Sequence, residues 1–265
     1  MKQKGLLSKG MKIHKEKEAE FRFYEELNDF LPKEKRKRSF AYKFSGNPSI
    51  KDAIEACGVP HPEVEVILIN GHSVGFDYRL KNGDRAAIYP VFESLDISPL
   101  IKLRDKPLRK TKFVIDVNLG KLSSSLRMLG FDVLYASGYL DQEIIHLSSR
   151  DKRIILTRDQ NLLKHRAVTH GYWLRSTDPE EQLHEIILRL DLISDISPFT
   201  RCMACNGLLI SVDKKRIIKS IPPKTAKYYS TFFQCRQCKK VYWPGSHYLK
   251  MKAKIDRLKR NFERE

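Results

Sequence analysis

Three aspartates lie where apolar segments of the central chain end or where a helix is expected to begin. Asp116 closes the run 113–116, Asp159 closes the run 154–159, and Asp141 opens a helical segment at 141–149. Crossover connections bring the carboxyl ends of parallel strands to one edge of a sheet, so we expect the three side chains to converge there. Converging carboxylates repel one another unless a cation lies between them, and oxygen ligands suit Mg²⁺ or Mn²⁺. The pattern therefore predicts a metal-dependent phosphodiester hydrolase.

These acids also have structural explanations. Asp141 can cap its own helix, and Arg158 can pair with Asp159 where the strand ends. Asp178 precedes a proline as an N-cap precedes proline at the first helical position, which favours a structural role, although its strand ends at the same edge. We treat Asp178 as a possible assisting residue, together with Asn118 and Arg158, which can orient a phosphate.

The segments between the acids alternate between strand and helix. Strands are expected at 113–116, 132–136, 154–159 and 171–175, with helices at 122–129 and 141–149 and a last helix opening at 177–181. Leu122, Leu126 and Leu129 form one apolar helix face. Continuous apolar strands that alternate with helices are typical of a parallel sheet covered on both faces, so residues 113–200 are predicted to be an α/β domain.

Two Cys-x-x-Cys pairs follow this domain. Cys202 and Cys205 form the first pair, and Cys235 and Cys238 form the second. In a reducing compartment this spacing predicts a Cys₄ zinc site within a zinc ribbon at 201–247, in which Zn²⁺ has a structural role. Disulfides are the alternative, and the expected compartment disfavours them.

Charge is distributed unevenly along the chain. Residues 113–200 carry 10 Lys+Arg and 12 Asp+Glu, whereas residues 201–265 carry 17 and 4. A polyanion such as RNA suits the basic end, and aromatic residues interleaved with cations are typical of proteins that bind single strands. A solvated basic surface is the alternative. The RNA-binding candidates are Lys214, Lys215, Arg216, Arg236, Lys239, Lys240, Tyr242 and Trp243.

The first part of the chain is expected to form a separate α+β domain at 20–97, between a basic arm at 1–19 and a linker at 98–112. Its predicted order is two strands, a helix and two strands, with Asn70-Gly71 as a hairpin turn. This order resembles the β-grasp, ubiquitin-like sulfur carriers of thiamin and molybdopterin synthesis over 49–58, 66–71 and 80–90. The chain continues through Phe92–Leu95 where those carriers end in Gly-Gly, so thiocarboxylate formation is not expected. Cys57 lies on the apolar helix face and is interpreted as a buried structural thiol.

The chain from Phe113 onward resembles the PIN-like ribonucleases, specifically the family named for the C-terminal domain of the Mut-seven exonuclease. The similar segments are 113–130, 132–135, 141–148, 153–163, both cysteine pairs, Asn206-Gly207, 221–223 and 241–247. Relatives carry the same ubiquitin-like domain in front. The resemblance implies a PIN-like fold, RNA cleavage that depends on Mg²⁺ or Mn²⁺, and metal ligands at Asp116, Asp141 and Asp159. PIN nucleases commonly use four acids, and Asp178 is the candidate for the fourth.

The sequence therefore predicts a PIN-like nuclease domain at 113–200, a zinc ribbon at 201–247 and a basic C-terminal helix at 248–265, all behind a β-grasp domain that can dock a protein partner. No apolar run of 18 residues and no signal-peptide segment is present, so a cytoplasmic protein without membrane association is expected.

The predicted function is a ribonuclease acting on single-stranded or loosely structured RNA. The alternative is a non-catalytic RNA-binding adaptor with a degenerate nuclease core, and a sulfur-transfer accessory is a weaker third hypothesis. An acid cluster closed by Arg158 or a lysine would favour the adaptor.

Overall fold

The computed structural model describes residues 16–90 and 111–262, which belong to two separate units. Residues 16–90 belong to unit 1, and residues 111–262 belong to unit 2. The predicted arm at 1–19 lies outside the described residues up to residue 15, and the predicted linker at 98–112 lies outside them up to residue 110.

Unit 1 contains a five-stranded sheet whose order is β2-β1-β5-β3-β4, with β1 parallel to β5 and the other pairs antiparallel. The mixed sheet and helix confirm the predicted α+β class, and a short additional strand, β4, makes three strands after the helix where two were predicted. The elements are β1 (Lys17–Phe23), β2 (Phe40–Phe44), α1 (Ile50–Ala56), β3 (Val64–Ile69), β4 (His72–Ser73) and β5 (Arg85–Pro90). Short 3₁₀ turns cover Glu25–Phe30, Lys33–Lys35 and His61–Glu63.

The strand β1 begins at Lys17, three residues before residue 20, where the domain was predicted to start. Ala19 is buried and pairs with Tyr42 of β2, so the alternation of buried and exposed residues extends towards the N-terminus. The Asn70-Gly71 turn joins β3 to β4 as predicted, and both residues have positive φ, 52° and 85°.

The inner face of this sheet packs against α1. Ser49 and Asp52 form a capping box at the start of the helix. Ile50, Ala53 and Ile54 are fully buried. Cys57 is partly buried at the end of the helix, and burial raises the pKa of its thiol to about 11. The thiol therefore stays protonated near neutral pH, which agrees with its interpretation as structural.

Unit 2 contains a four-stranded parallel sheet of order β7-β6-β8-β9. Its strands are β6 (Lys112–Ile115), β7 (Asp132–Leu134), β8 (Ile154–Thr157) and β9 (Gly171–Trp173). Its helices are α2 (Gly120–Met128), α3 (Asp141–Asp151), α4 (Gln160–Lys164) and α5 (Pro179–Arg189), with 3₁₀ turns at Val117–Leu119 and Ile193–Asp195. The predicted parallel α/β architecture is confirmed.

Both faces of this sheet are covered because successive side chains of each strand point to opposite sides. Phe113 and Ile115 of β6 pack with residues of α2 and α5 on one face. Val114 packs on the other face with Ile144 of α3 and Leu163 of α4. The apolar runs of the sequence are therefore continuous because the last three positions of each central strand, 113–115 and 155–157, are all buried.

The two cysteine pairs lie in a small antiparallel sheet of order β10-β11-β12, formed by Leu209–Ser211, Phe233–Cys235 and Val241–Tyr242. The insertion between β10 and β11 contains α6 (Lys214–Ile217), a 3₁₀ turn at Ile218–Ser220 and α7 (Pro223–Tyr228). Ile217, Ile221 and Phe232 form a buried cluster that holds this insertion against the sheet.

The last helix, α8 (Ser246–Phe262), is part of the α/β domain's core as well as a basic segment. It begins two residues before the predicted tail at 248–265. Ile255 is buried in the same apolar cluster as α2 and α5. Lys254 pairs with Glu180 of α5 at an N···O distance of 2.9 Å. One face of the predicted RNA-binding tail is therefore engaged in packing.

A polar network around Asp132 joins the first cysteine pair to the parallel sheet. The Asp132 carboxylate pairs with Arg153 at 2.8 Å and with Arg201 at 3.2 Å. It also accepts a hydrogen bond from Nδ2 of Asn206 at 2.9 Å, and Oδ1 of Asn206 accepts from the backbone N–H of Val133 at 3.0 Å. The segment that carries Cys202 and Cys205 is therefore fixed to the amino end of β7.

The guanidinium of Arg127 adds a second connection to the same segment. It donates to the backbone carbonyl of Val133 at 2.9 and 3.1 Å and to those of Met203 and Ala204 at 3.2 and 3.1 Å. Because Met203 and Ala204 lie between the two cysteines of the first pair, this arginine, which is 4% exposed, orders the metal-binding turn from inside the α/β domain.

We expect Asp132→Asn to lower the free energy of unfolding by about 2 kcal/mol, because Arg153 and Arg201 lose their partly buried anionic partner. Burial acts to raise the pKa of Asp132, but the hydrogen bonds from Arg153 and Asn206 and the charges of Arg153 and Arg201 outweigh it and lower that pKa. A lowered pKa stabilises the fold above the unfolded value of about 3.9, and this contribution is lost as the pH falls through the folded value.

Urea unfolding at neutral pH and at a series of acidic pH values measures both effects. The exposed Asp195→Asn serves as the control. If Asp132→Asn and Asp195→Asn have equal free energies of unfolding at every pH, the Asp132 network does not stabilise the attachment of the first cysteine pair to the parallel sheet.

Candidate active site and metal cluster

The carboxyl ends of β6 and β8 form the point at which the chain connections of the parallel sheet reverse direction. From β6 the chain crosses through α2 to β7 on one side, and from β7 it crosses through α3 to β8 on the other side. Ligands of open α/β sheets bind in the crevice at such a switch point. Asp116 follows β6 directly, and Asp159 lies two residues beyond β8. Two of the predicted acids therefore lie at the switch point.

The hydroxyl of Thr157 joins these two positions. Oγ1 of Thr157 donates to Oδ2 of Asp116 at 2.7 Å, and the same oxygen accepts from the backbone N–H of Asp159 at 2.9 Å. Thr157 is fully buried, and the backbone N–H of Asp116 bonds the carbonyl of Leu156 at 3.1 Å. The Asp116 carboxylate is therefore held in a fixed orientation at the sheet edge.

Asp159 caps α4, and Oδ1 of its side chain accepts from the backbone N–H of Asn161 at 2.8 Å. Asp141 is the first residue of α3 and is exposed. Its suggested role as the N-cap is wrong, because Leu140 occupies that position and the Glu143 carboxylate accepts from the Leu140 N–H at 2.8 Å. The N-terminus of the helix is therefore capped without the Asp141 side chain, and that carboxylate is available for another role.

The three aspartates are not drawn together as a compact ligand set. In the described part of the chain, the four cysteines are the group of His, Cys, Asp and Glu residues whose ligand atoms lie close enough together to hold a metal. Within residues 16–90 and 111–262, no ion pair involves Asp116, Asp141 or Asp159, and the exposed Arg158 does not close the site.

The possible assisting residues have different environments. Asn118 is exposed in the 3₁₀ turn after Asp116. The carbonyl of Arg158 accepts from Nε1 of Trp173 at 3.1 Å, which fixes the loop that carries Asp159. Asp178 caps α5 by accepting from the backbone N–H groups of Glu180 and Glu181 at 2.8 and 3.1 Å. This cap agrees with the structural role that was favoured for Asp178.

The four cysteines form a second candidate site. Their sulfur atoms all lie within 4.8 Å of one another, with Cys202 and Cys238 separated by 3.6 Å and Cys205 and Cys235 by 3.4 Å. Burial acts to raise the pKa of Cys205, but the backbone N–H of Gly207 and the neighbouring thiols outweigh it and lower that pKa to about 6. A thiolate near neutral pH is the form that binds a cation.

Backbone geometry explains two residues beside this cluster. Asn206 and Lys239 each follow the second cysteine of a pair and have positive φ, 69° and 61°, so both pairs turn in the same way. A Cβ at Gly207 would lie 2.7 Å from Sγ of Cys235, so only glycine fits beneath the sulfur atoms.

Among the predicted RNA-binding residues, most cations are exposed, whereas the two aromatic residues contact other parts of the cysteine region. Lys215, Arg216, Arg236, Lys239 and Lys240 are exposed, and Lys214 is half-buried. The hydroxyl of Tyr242 lies 3.0 Å from Sγ of Cys202, and Trp243 packs against the buried cluster of the insertion. Tyr228, which is 73% exposed, is more accessible than either.

A family model described as the Mut7-C RNAse domain matches residues 111–255, more than half of the chain. The chain belongs to the Mut7-C RNAse domain family. A second model, described as Mut7-C ubiquitin, matches residues 16–96. Searches of curated proteins and of solved structures gave no significant match.

The Mut7-C RNAse match includes the β6–β8 edge and all four cysteines, and the ubiquitin match includes the whole described sheet of unit 1. The predicted resemblance is confirmed by both matches and by their order. A nuclease-type function for unit 2 follows from this family. In the described residues, no helix has the length and apolar character needed to span a membrane.

Two parts of the site were missed by the sequence interpretation. Thr157 lies two residues before Asp159, and a threonine at the end of an apolar strand gave the only local signal. The contacts of Asp132 join residues separated by 21, 69 and 74 positions, so no local pattern indicated them.

The four cysteines are expected to hold one metal ion per chain. Cys235→Ser removes one thiolate, so metal content should fall towards zero and the midpoint of thermal unfolding should decrease. Cys57→Ser is the matched control, because Cys57 is a free thiol in unit 1. Elemental analysis and thermal unfolding measure both quantities. Equal metal contents in the two variants would contradict the assignment.

Proposed function

We propose that the protein is a metal-dependent, PIN-like ribonuclease that hydrolyses phosphodiester bonds of single-stranded or loosely structured RNA. The observation that carries this proposal is the position of Asp116 and Asp159 at the switch point of a Mut7-C RNAse domain, linked through Thr157. A carboxylate pair at a sheet edge that can also admit a polyanion is suited to phosphoryl chemistry.

The catalytic cation is proposed to be Mg²⁺ or Mn²⁺, held by Asp116 and Asp159 with Asp141 completing the set. The chemistry of the donors fits, because all three supply carboxylate oxygens. Oδ2 of Asp116 and Oδ1 of Asp159 accept hydrogen bonds, which leaves the second oxygen of each for a cation. When bound, the ion supplies an activated water and neutralises charge on the attacked phosphate.

The protein side chains around this edge have separate proposed roles. Thr157 holds the Asp116 carboxylate in position, and Asn118 and Arg158, both exposed beside the acids, orient the phosphate. Asp178 stabilises α5 as its N-cap and is not needed as a ligand.

The four cysteines are proposed to hold Zn²⁺ in a structural role. A tetrahedron with Zn–S bonds of about 2.3 Å has edges of about 3.8 Å, and sulfur separations of 3.4 and 3.6 Å are close to that length. The knuckle cations Arg236, Lys239 and Lys240 are proposed to contact RNA phosphates, together with Lys214, Lys215 and Arg216. Tyr242 and Trp243 are proposed to contribute through their exposed edges.

The adaptor hypothesis predicts acids neutralised by a neighbouring cation. Asp116, Asp141 and Asp159 form no ion pair with any described residue, and this favours the enzyme. A β-grasp domain that docks a protein partner is compatible with both hypotheses.

Asp116→Asn is expected to reduce RNA cleavage by at least about 10²-fold, since the amide keeps the shape but removes the charge that holds the cation. RNA affinity should remain equal or increase slightly. The assay incubates end-labelled single-stranded RNA with Mn²⁺, with and without EDTA, and Asp195→Asn is the exposed control. Near-normal cleavage by the Asp116 variant would show that the site is elsewhere, and an inactive wild-type protein that binds RNA would favour the adaptor.

Thr157→Val is expected to lower cleavage about tenfold or more while the fold is retained, because the Asp116 carboxylate loses its hydrogen bond. Thr157→Ser keeps the hydroxyl and should restore most of the activity. The dependence of the cleavage rate on Mn²⁺ concentration separates a role of Thr157 in positioning the Asp116 carboxylate from a role in stabilising the fold. A change in that dependence supports a positioning role, whereas equal activities of Val and Ser variants would exclude one.

A further inference from the structure

Unit 1 carries a dense group of cations on a domain that is otherwise acidic. Residues 16–90 contain 12 Lys+Arg and 13 Asp+Glu, yet five of those cations and one acid lie within the six residues Lys33–Arg38. The rest of the described unit then has 7 cations against 12 acids. Solubility alone does not require such separation of charge, whereas contact with a polyanion does.

This basic loop, defined as Lys33–Arg38, is held in one conformation by buried hydrogen bonds. Asn28, only 5% exposed, donates to the carbonyls of Phe23 and Glu25 at 3.1 and 2.8 Å and accepts from the Lys37 N–H at 2.6 Å. The guanidinium of Arg36 donates to the Leu31 carbonyl at 2.8 Å. These hydrogen bonds fix the backbone of the loop from inside the unit and leave most of its cationic side chains exposed.

The backbone at Lys37 has φ of 56°, a conformation that non-glycine residues seldom adopt. The hydrogen bond from the Lys37 N–H to Oδ1 of Asn28 stabilises this conformation. Lys33, Lys37 and Arg38 are exposed, and none forms an ion pair within the described part of the chain.

The basic loop continues into a shallow hollow on the outer face of the unit 1 sheet. Ser39 follows the loop and lines this hollow, whose volume is about 450 Å³, together with Arg22, Tyr24 and Arg85. Glu20 is the acid at its wall, and it pairs with Arg85 at 3.6 Å. Arg22 lies 5.1 Å from the centre of the Tyr24 ring, and that ring stacks on Tyr89 with a centroid distance of 4.2 Å. The two arginines of the hollow are suited to contact phosphates.

We propose that the basic loop and this hollow form a second binding site for single-stranded RNA, separate from the contacts proposed for the cysteine region. The proposal depends on the proposed function only for the choice of RNA as the polyanion. An acidic protein segment would satisfy the loop cations alone, but the further cations Arg22 and Arg85 at the hollow favour a longer polyanion such as RNA.

The test uses the full-length protein without chelator and without added Mg²⁺ or Mn²⁺, so that binding is measured without hydrolysis and the cysteine site keeps its metal. Fluorescence anisotropy with a labelled single-stranded RNA compares the wild type with the triple variant Lys33→Gln, Lys37→Asn, Arg38→Gln. Asparagine is chosen at position 37 because it tolerates a positive φ. The double variant Lys33→Gln, Arg38→Gln leaves that backbone position unchanged and guards against misfolding.

The matched control is the triple variant Lys51→Gln, Arg79→Gln, Lys81→Gln. It removes the same charge from the same unit. Its residues lie near the start of α1, where the backbone of Arg79 forms a β-bridge with Ser49, the N-cap of that helix. For single strands each lost phosphate contact reduces the slope of log affinity against log salt by about 0.7, so the loop variant should lose about 2 in slope. The double variant should lose about half to two thirds of that, and the control should change little.

Equal losses of RNA affinity in the loop and control variants would overturn the proposal, because they would report net charge alone. Unchanged RNA affinity together with lost binding of poly-glutamate would also overturn it and assign the loop to an acidic protein partner. A protein that binds RNA through the loop yet fails to cleave it supports this proposal while contradicting the proposed function.

Discussion

The parallel pairing of β6 with β8, with chain connections that leave in opposite directions, is the constraint on which the candidate active site depends. It brings the residues after the two strands to one edge and opens a crevice between them. The register pairs Ile115 with Leu156, so Thr157 faces the first residue beyond β6 and its hydroxyl reaches the Asp116 carboxylate. A shift of one residue would turn that hydroxyl to the other face of the sheet.

The cysteine cluster is attached to the opposite edge of the same sheet. Asp132 is the first residue of β7, and it binds Arg201 and Asn206, which flank the first cysteine pair. Strands of three or four residues span only about 10–13 Å. RNA held near the cysteines would therefore have to pass along one face of the domain to reach the acids, and a short single strand can follow such a path.

Periodicity and turn chemistry predicted those parts of the fold that depend on local sequence. The Asn70-Gly71 hairpin, the parallel α/β architecture and the grouping of the four cysteines are examples. Properties that depend on tertiary contacts were not accessible in this way. Tyr242 was predicted to contact RNA, but its hydroxyl lies against a cysteine sulfur. The C-terminal segment was predicted to be a basic helix, and the sequence did not indicate that Ile255 of α8 lies in the core. For the acids, the sequence indicated the sheet edge. It did not indicate that Thr157 donates to the Asp116 carboxylate or that Glu143 accepts from the Leu140 N–H.

We propose that the edge after β6 and β8 binds a divalent cation. The most direct measurement is an anomalous-scattering map from crystals of the protein soaked in Mn²⁺. A manganese peak in contact with carboxylate oxygens of Asp116 and Asp159 is expected, with no such peak in crystals of the Asp159→Asn variant. Well-ordered crystals of the wild type with no manganese at this edge, or with manganese bound elsewhere in unit 2, would contradict it.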